Sequence, residues 1–101
     1  MNIISKVTGH RISKETSDDL TSIRPGDYWF DSELGYFLIC SPTLDLEGNI
    51  ILGTLRHHSV VEHDDGTISV SPSILIMSII ESEGKLVELF HGFLERGIWT
   101  F

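Results

Sequence analysis

Apolar residues along this chain come in short runs, and turn-forming residues separate almost every pair of them. Tyr28-Trp29-Phe30 and Tyr36-Phe37-Leu38-Ile39 flank Asp31-Ser32-Glu33-Leu34-Gly35, a loop of hairpin length ending in glycine. Asp45-Leu46-Glu47-Gly48-Asn49 makes the next reversal. Ile50 to Leu55 then reads as a strand, with Gly53 marking a bulge or a close backbone approach. His58 to Glu62 and Thr67 to Val70 flank Asp64-Asp65-Gly66, the strongest hairpin signal in the chain.

From Ser71 to Phe101 the pattern predicts three strands, cut by turns at Glu83-Gly84 and Glu95-Arg96-Gly97. Ile74 to Ile80 is apolar at odd and even positions alike, which predicts cover on both faces. Ser71-Pro72 could open a helix there, as N-cap and first helical residue. Four isoleucines in seven residues favour the strand. In Lys85 to Phe93, period two places Val87, Leu89, His91 and Phe93 on one face and Leu86, Glu88 and Phe90 on the other. His91 is therefore expected to be partly buried, with hydrogen bonds that tie two strands together.

The start of the chain is different. Asn2 to Val7 reads as an edge strand, and Arg24-Pro25-Gly26-Asp27 as a turn. Gly9 to Arg24 is polar, with Ile12, Leu20 and Ile23 as its few apolar anchors. It predicts a loop or loosely held arm with one helical turn at Ser13-Lys14-Glu15. The expected architecture is a polar N-terminal arm over residues 1–24 and one all-β domain over 25–101. That domain is a small antiparallel sandwich or barrel of about seven or eight hairpin-connected strands.

A length of 101 residues suits one domain, and 41% hydrophobic content suffices for a core. No apolar run is long enough to cross a bilayer, and MNIISKVTGHRISKE lacks the apolar stretch of a secretion signal. A soluble, cytoplasmic protein is the expectation. The single cysteine, Cys40, excludes an intrachain disulfide and reads as a buried small hydrophobe at a strand end.

Charge changes the picture further. The net charge is −8, yet residues 1–24 carry four bases against three acids. Residues 25–101 carry three bases against twelve acids, or −9. Such a surface repels phosphate backbones and anionic membranes, and attracts a basic protein over a Debye length of about 8 Å.

Chemistry-bearing motifs are sparse. There is no glycine-rich phosphate loop and no Gly-x-Ser-x-Gly elbow. The metal-ligand candidates are His57, His58, His63, His91 and Cys40, but their spacing lacks Cys-x-x-Cys or a helical His pair. On one strand His57 and His63 would lie about 20 Å apart. Asp64 and Asp65 supply fewer alternating oxygens than a calcium loop needs. No cofactor is expected. Among the aromatic residues, Trp29 and Tyr36 are the expected exposed contacts, because half the rings of two hairpin strands face away from any one core layer.

Three strings resemble those of a domain-of-unknown-function family of small phage and bacterial proteins, some labelled ammonia-monooxygenase-like. They are Pro25-Gly26 with Trp29-Phe30, Thr67 to Ile74, and His91-Gly92-Phe93-Leu94 with Gly97-Ile98-Trp99. The resemblance spans Arg24 to Phe101. It implies a phage or mobile-element setting and no known reaction. Family members carry cysteines near the positions of Cys40 and His91 that could bind zinc. Here Ser41-Pro42-Thr43 follow Cys40, and Glu88-Leu89-Phe90 precede His91 without a thiol.

The leading expectation is a non-enzymatic acidic module that binds a basic protein surface, such as that of a nucleic-acid-binding host defence complex it inhibits. Asp31, Glu33, Asp64, Asp65, Glu81 and Glu83, on hairpin turns, are its expected contacts together with Trp29 and Tyr36. A metal-binding domain or metal-dependent enzyme is the alternative. A homodimer paired through β-edges is a third.

Overall fold

A computed structural model describes residues 4–101. Among them are nine strands: β1 (Lys6–Thr8), β2 (Tyr28–Asp31), β3 (Tyr36–Cys40), β4 (Leu52–Thr54), β5 (Ser59–Glu62), β6 (Ile68–Ser71), β7 (Ile74–Ile80), β8 (Lys85–Glu95) and β9 (Ile98–Thr100). They form three antiparallel sheets, ordered β1-β9-β8-β7, β2-β3-β4 and β5-β6. The all-β class is as expected, built from open sheets with no closed barrel. Ser71-Pro72 opens no helix; β7 is a strand.

The N-terminal segment is tied into these sheets. Asn2 and Ile3, the start of the expected edge strand, lie outside the described residues; β1 follows and pairs with β9. Gly9 donates its N–H to the Gly97 carbonyl at 2.7 Å, and residues 10–12 exchange backbone hydrogen bonds with Tyr28. Ser13 caps the one-turn helix α1 (Lys14–Ser17), its hydroxyl accepting from the Thr16 N–H at 3.1 Å.

The main core lies between the sheets. Tyr28, Phe37 and Ile39 meet Ile74, Phe90, Leu94 and Trp99, and Ile68 and Val70 close one side. Trp99 is 0% exposed and stands edge-to-face with Phe90, ring centroids 5.6 Å apart. Its indole N–H donates to the Gly26 carbonyl at 2.9 Å, which ties the last strand to the first tight turn. Glycine is required beside it, since a Cβ on Gly9 would stand 2.7 Å from the Gly26 oxygen.

A second, smaller cluster lies on the opposite face of β2 and β3. Ile23, Trp29 and Cys40 are buried there, with Ile12, Leu38 and Ile50 packed around them. This corrects the expectation for Trp29, which is 4% exposed. The residues before Arg24 supply Ile12 and Ile23 as cover, so the face opposite the main core is not left to solvent.

The third sheet's neighbour, the long β7–β8 hairpin, departs from strict alternation. Ile76 pairs with Phe90 but Met77 pairs with Glu88, so Leu89 has no partner. The extra residue is a β-bulge, and it shifts the face of every side chain beyond it. Phe90, Gly92 and Leu94 turn inward on one side of it; Val87 and Leu89 are half-buried on the other. His91 and Phe93 therefore point outward and are exposed, contrary to the single-face expectation. The expected two-sided cover of β7 is also overturned. Ile74 is buried and Ile76 half-buried, whereas Leu75, Met77 and Ile79 are 51%, 43% and 61% exposed.

Trp99→Phe keeps the aromatic packing and orphans the buried Gly26 carbonyl, at a cost of about 1–3 kcal/mol. Urea unfolding followed by circular dichroism should show a clearly lower midpoint. An unchanged midpoint would remove the indole–carbonyl bond from the account of the core.

Candidate functional site

Three hairpin turns carry the expected acidic contacts, and the structure distinguishes them. In the β2–β3 turn, the Asp31 carboxylate accepts from the N–H groups of Glu33 and Leu34 at 2.9 and 3.0 Å, so Asp31 builds the turn. Tyr36 pairs with Asp31 across that hairpin and is half-buried. Lys14 stands close by. The carboxylates of Asp18, at 3.6 Å, and then of Asp31 and Glu33 hold its ammonium group above the ordinary lysine range.

In the β5–β6 turn, Asp65 accepts from the Thr67 hydroxyl at 2.6 Å and the Thr67 N–H at 3.0 Å. These bonds hold its carboxyl below the usual aspartate range. Arg11 borders the same turn. Its guanidinium reaches Glu62 at 3.4 Å and the Gly66 carbonyl at 3.2 Å, and lies 5.1 Å from the Phe37 ring centroid. The bases of the N-terminal segment thus offset Asp31 and Glu33 at one turn and Glu62 at the base of the other.

The β7–β8 turn differs. Glu81 and Glu83 are exposed at its tip. The loop Asp45–Glu47 lines a cleft with Ser78, Ile80 and Val87, which adds two more carboxylates to this end of the molecule. Asp45 is a turn builder, accepting from the N–H groups of Glu47 and Asn49, whereas Glu47 is exposed. Lys85 is the base of the turn itself. Glu47 was missed in the sequence, where its loop read only as a reversal; nothing local signals that it folds onto a distant hairpin.

The metal-ligand candidates are scattered. His57 is exposed in the turn before β5, and His63 follows the end of β5, where its Nε2 meets the Ser69 hydroxyl at 2.7 Å. His58 Nε2 donates to the Ser73 carbonyl at 3.2 Å, and His91 Nε2 lies 3.0 Å from the Ser73 hydroxyl. Cys40 is buried in the second core. Among the described residues, no three His, Cys, Asp or Glu side chains converge as an ion would need. One serine motif was missed: Ser82-Glu83-Gly84-Lys85 has the Ser-x-x-Lys spacing of an activated nucleophile. It occupies the exposed hairpin tip, where water surrounds both groups and no cleft shields them.

No protein-family model, curated protein or solved structure matches the chain. No helix among the described residues is long and apolar enough to cross a membrane.

Burial, followed by the nearby Asp27 carboxylate, pushes the Cys40 thiol up from 9.0 to about 11. A thiol that ionises later when folded stabilises fully below the unfolded value, and that stability falls away as pH rises from 9 toward 11. The amount at stake is about 2–3 kcal/mol. Burial raises the Tyr28 phenol as well, so the informative comparison is with Cys40→Ala. The variant's stability curve should be flatter across this window, and the folded wild type should resist a thiol reagent at neutral pH. Parallel curves, or rapid labelling, would contradict the assignment.

Proposed function

We propose that this chain is a small non-enzymatic binding module whose acidic hairpin end docks on a basic protein surface. The observation that carries the reading is the placement of its charge. Lys14 stands beside the acids of the β2–β3 turn, and Arg11 pairs with Glu62 at the end of β5. Glu47, Glu81 and Glu83 project at the remaining end, with Lys85 as the local base. Exposed like charges repel one another in the free protein, and a cationic partner relieves that repulsion on binding.

A nucleic-acid-binding complex offers such a partner, because its phosphate-contacting surface is rich in Lys and Arg. The family resemblance supports a phage or mobile-element origin, and with it inhibition of a host defence complex in the cytoplasm. The acidic surface disfavours direct contact with nucleic acid.

Binding to an immobilised basic protein of high isoelectric point should weaken steeply between 50 and 500 mM salt, both round values on either side of the physiological range. Each exposed charge pair is worth about 0.2–1 kcal/mol, so the triple reversal Glu47→Lys, Glu81→Lys, Glu83→Lys should weaken binding roughly tenfold or more. The Glu33→Lys variant, at the turn Lys14 already offsets, should change it little. Equal losses at the two ends, or no salt dependence, would contradict the assignment to the hairpin.

A further inference from the structure

Ile74 is buried opposite Gly92 in the β7–β8 ladder, so their neighbours Ser73 and His91 both turn outward on one face. The two are diagonal neighbours across the strands, and the Ser73 hydroxyl lies 3.0 Å from His91 Nε2. Glu88, three residues before His91, would face the other way in a regular strand. The bulge at Leu89 brings it to the same face, with its carboxylate 3.7 Å from His91 Nδ1. Hydroxyl, imidazole and carboxylate thus follow one another in the order of an activated serine. The serine's backbone is held as well. His58 Nε2 donates to the Ser73 carbonyl at 3.2 Å, and the next residue, Ile74, is anchored in the main core.

A second serine–imidazole pair shows what a purely structural one looks like. His63 Nε2 meets the Ser69 hydroxyl at 2.7 Å, but that oxygen also accepts the Arg96 N–H at 2.9 Å. Its lone pair is engaged, which blunts it as a nucleophile. Among the described residues the Ser73 hydroxyl bonds only to His91, so its lone pairs are free to attack. With the ring proton on Nδ1, facing Glu88, the Nε2 lone pair accepts the hydroxyl proton. Glu88 is a positioning residue, and its charge favours the imidazolium that forms. Beside His91 opens a cleft of about 240 Å³, lined by Ile4, Gly92, Phe93, Thr100 and Phe101. Its apolar walls suit a short acyl chain.

We propose that Ser73 is an acyl-acceptor site, which takes a short apolar acyl group from an activated oxygen ester or thioester. The Ser73 oxygen attacks the carbonyl carbon, and its proton passes to His91 Nε2. An Oγ–C bond forms, and the bond to the alkoxide or thiolate breaks with its electron pair. His91 then gives the proton to that leaving group. His91 and Glu88 are exposed, so water rather than preorganised donors solvates the oxyanion. The reaction is therefore confined to esters with good leaving groups and excludes amides. Ser73 lies at the other end of β7 from Glu81 and Glu83. Acylation there goes beyond the docking reading, and either can fail alone.

The probe is p-nitrophenyl butyrate, added briefly to the full chain at neutral pH, with peptide mapping by mass spectrometry. Ser73 should be butyrylated about a hundredfold faster than Ser69 or Ser82, the low end of what a positioned base contributes. S-phenyl thiobutyrate, run in parallel, distinguishes the two leaving groups. Labelling of Ser73 by either supports the site. His91→Ala should abolish the advantage of Ser73, and added imidazole should restore it. Glu88→Gln should slow the reaction several-fold, yet leave the imidazole-rescued His91→Ala reaction unchanged, which a merely structural role would not do. Mapping on the unaltered protein stands whether or not a variant folds. Ser73 labelled by neither ester faster than Ser69 and Ser82, or a rate indifferent to His91→Ala, would overturn the assignment.

Discussion

Leu89 stands unpaired between Glu88 and Phe90, and that single bulge sets which side of the longest hairpin is core. Strict alternation would force a choice between Phe90, Gly92 and Leu94 on one hand and Val87 and Leu89 on the other. The extra residue lets both groups face inward and sends Glu88 to solvent with Leu86. Ring packing of Phe90 against Trp99 and Phe101 depends on this arrangement. So does the close approach at Gly92, where an added Cβ would lie 2.6 Å from the Thr100 carbonyl oxygen. The outward turn of His91 and Phe93 is the other half of the same constraint.

The second organising contact is the buried Trp99, which ties β9 to the turn at Gly26. Through it the end of the chain holds the beginning in place. The segment before Arg24 then covers the far face of β2 and β3 with Ile12 and Ile23, giving Trp29 and Cys40 an interior. It also brings Lys14 against the acids of the β2–β3 turn and Arg11 against Glu62 at the end of β5. Charge on the molecule is consequently lopsided, and its lopsidedness comes from packing rather than from sequence order alone.

Much of this was legible in the sequence. Hairpin turns at Asp31–Gly35, Asp64–Gly66 and Glu83-Gly84 announce themselves through glycine and Asx chemistry, and short β-branched and aromatic runs lie between them. Ser13 offers a weaker signal, a helical turn inside a segment that otherwise reads as loop. What failed was anything requiring knowledge of a non-local neighbour. Period two has no means of marking a bulge, so it predicts His91 and Phe93 on the face of Val87 and Leu89, whereas both point outward. A polar segment with two useful isoleucines reads as a loose arm until it is seen covering Trp29. The same limit applies to Glu47, which reaches the hairpin end through tertiary folding.

The molecule divides into a packed interior, a hairpin end rich in carboxylates and a neutral strand edge beside it. The packing of Phe90, Gly92 and Leu94 against β9 presupposes the change of face at Leu89. Cross-strand backbone nuclear Overhauser effects in the hairpin, Hα–Hα and amide–amide together, test that change most directly. The account predicts contacts in the register Ile76 with Phe90 and Met77 with Glu88, with Leu89 left without a partner. Contacts that continue in phase, pairing Met77 with Leu89 and Ser78 with Glu88, would contradict it.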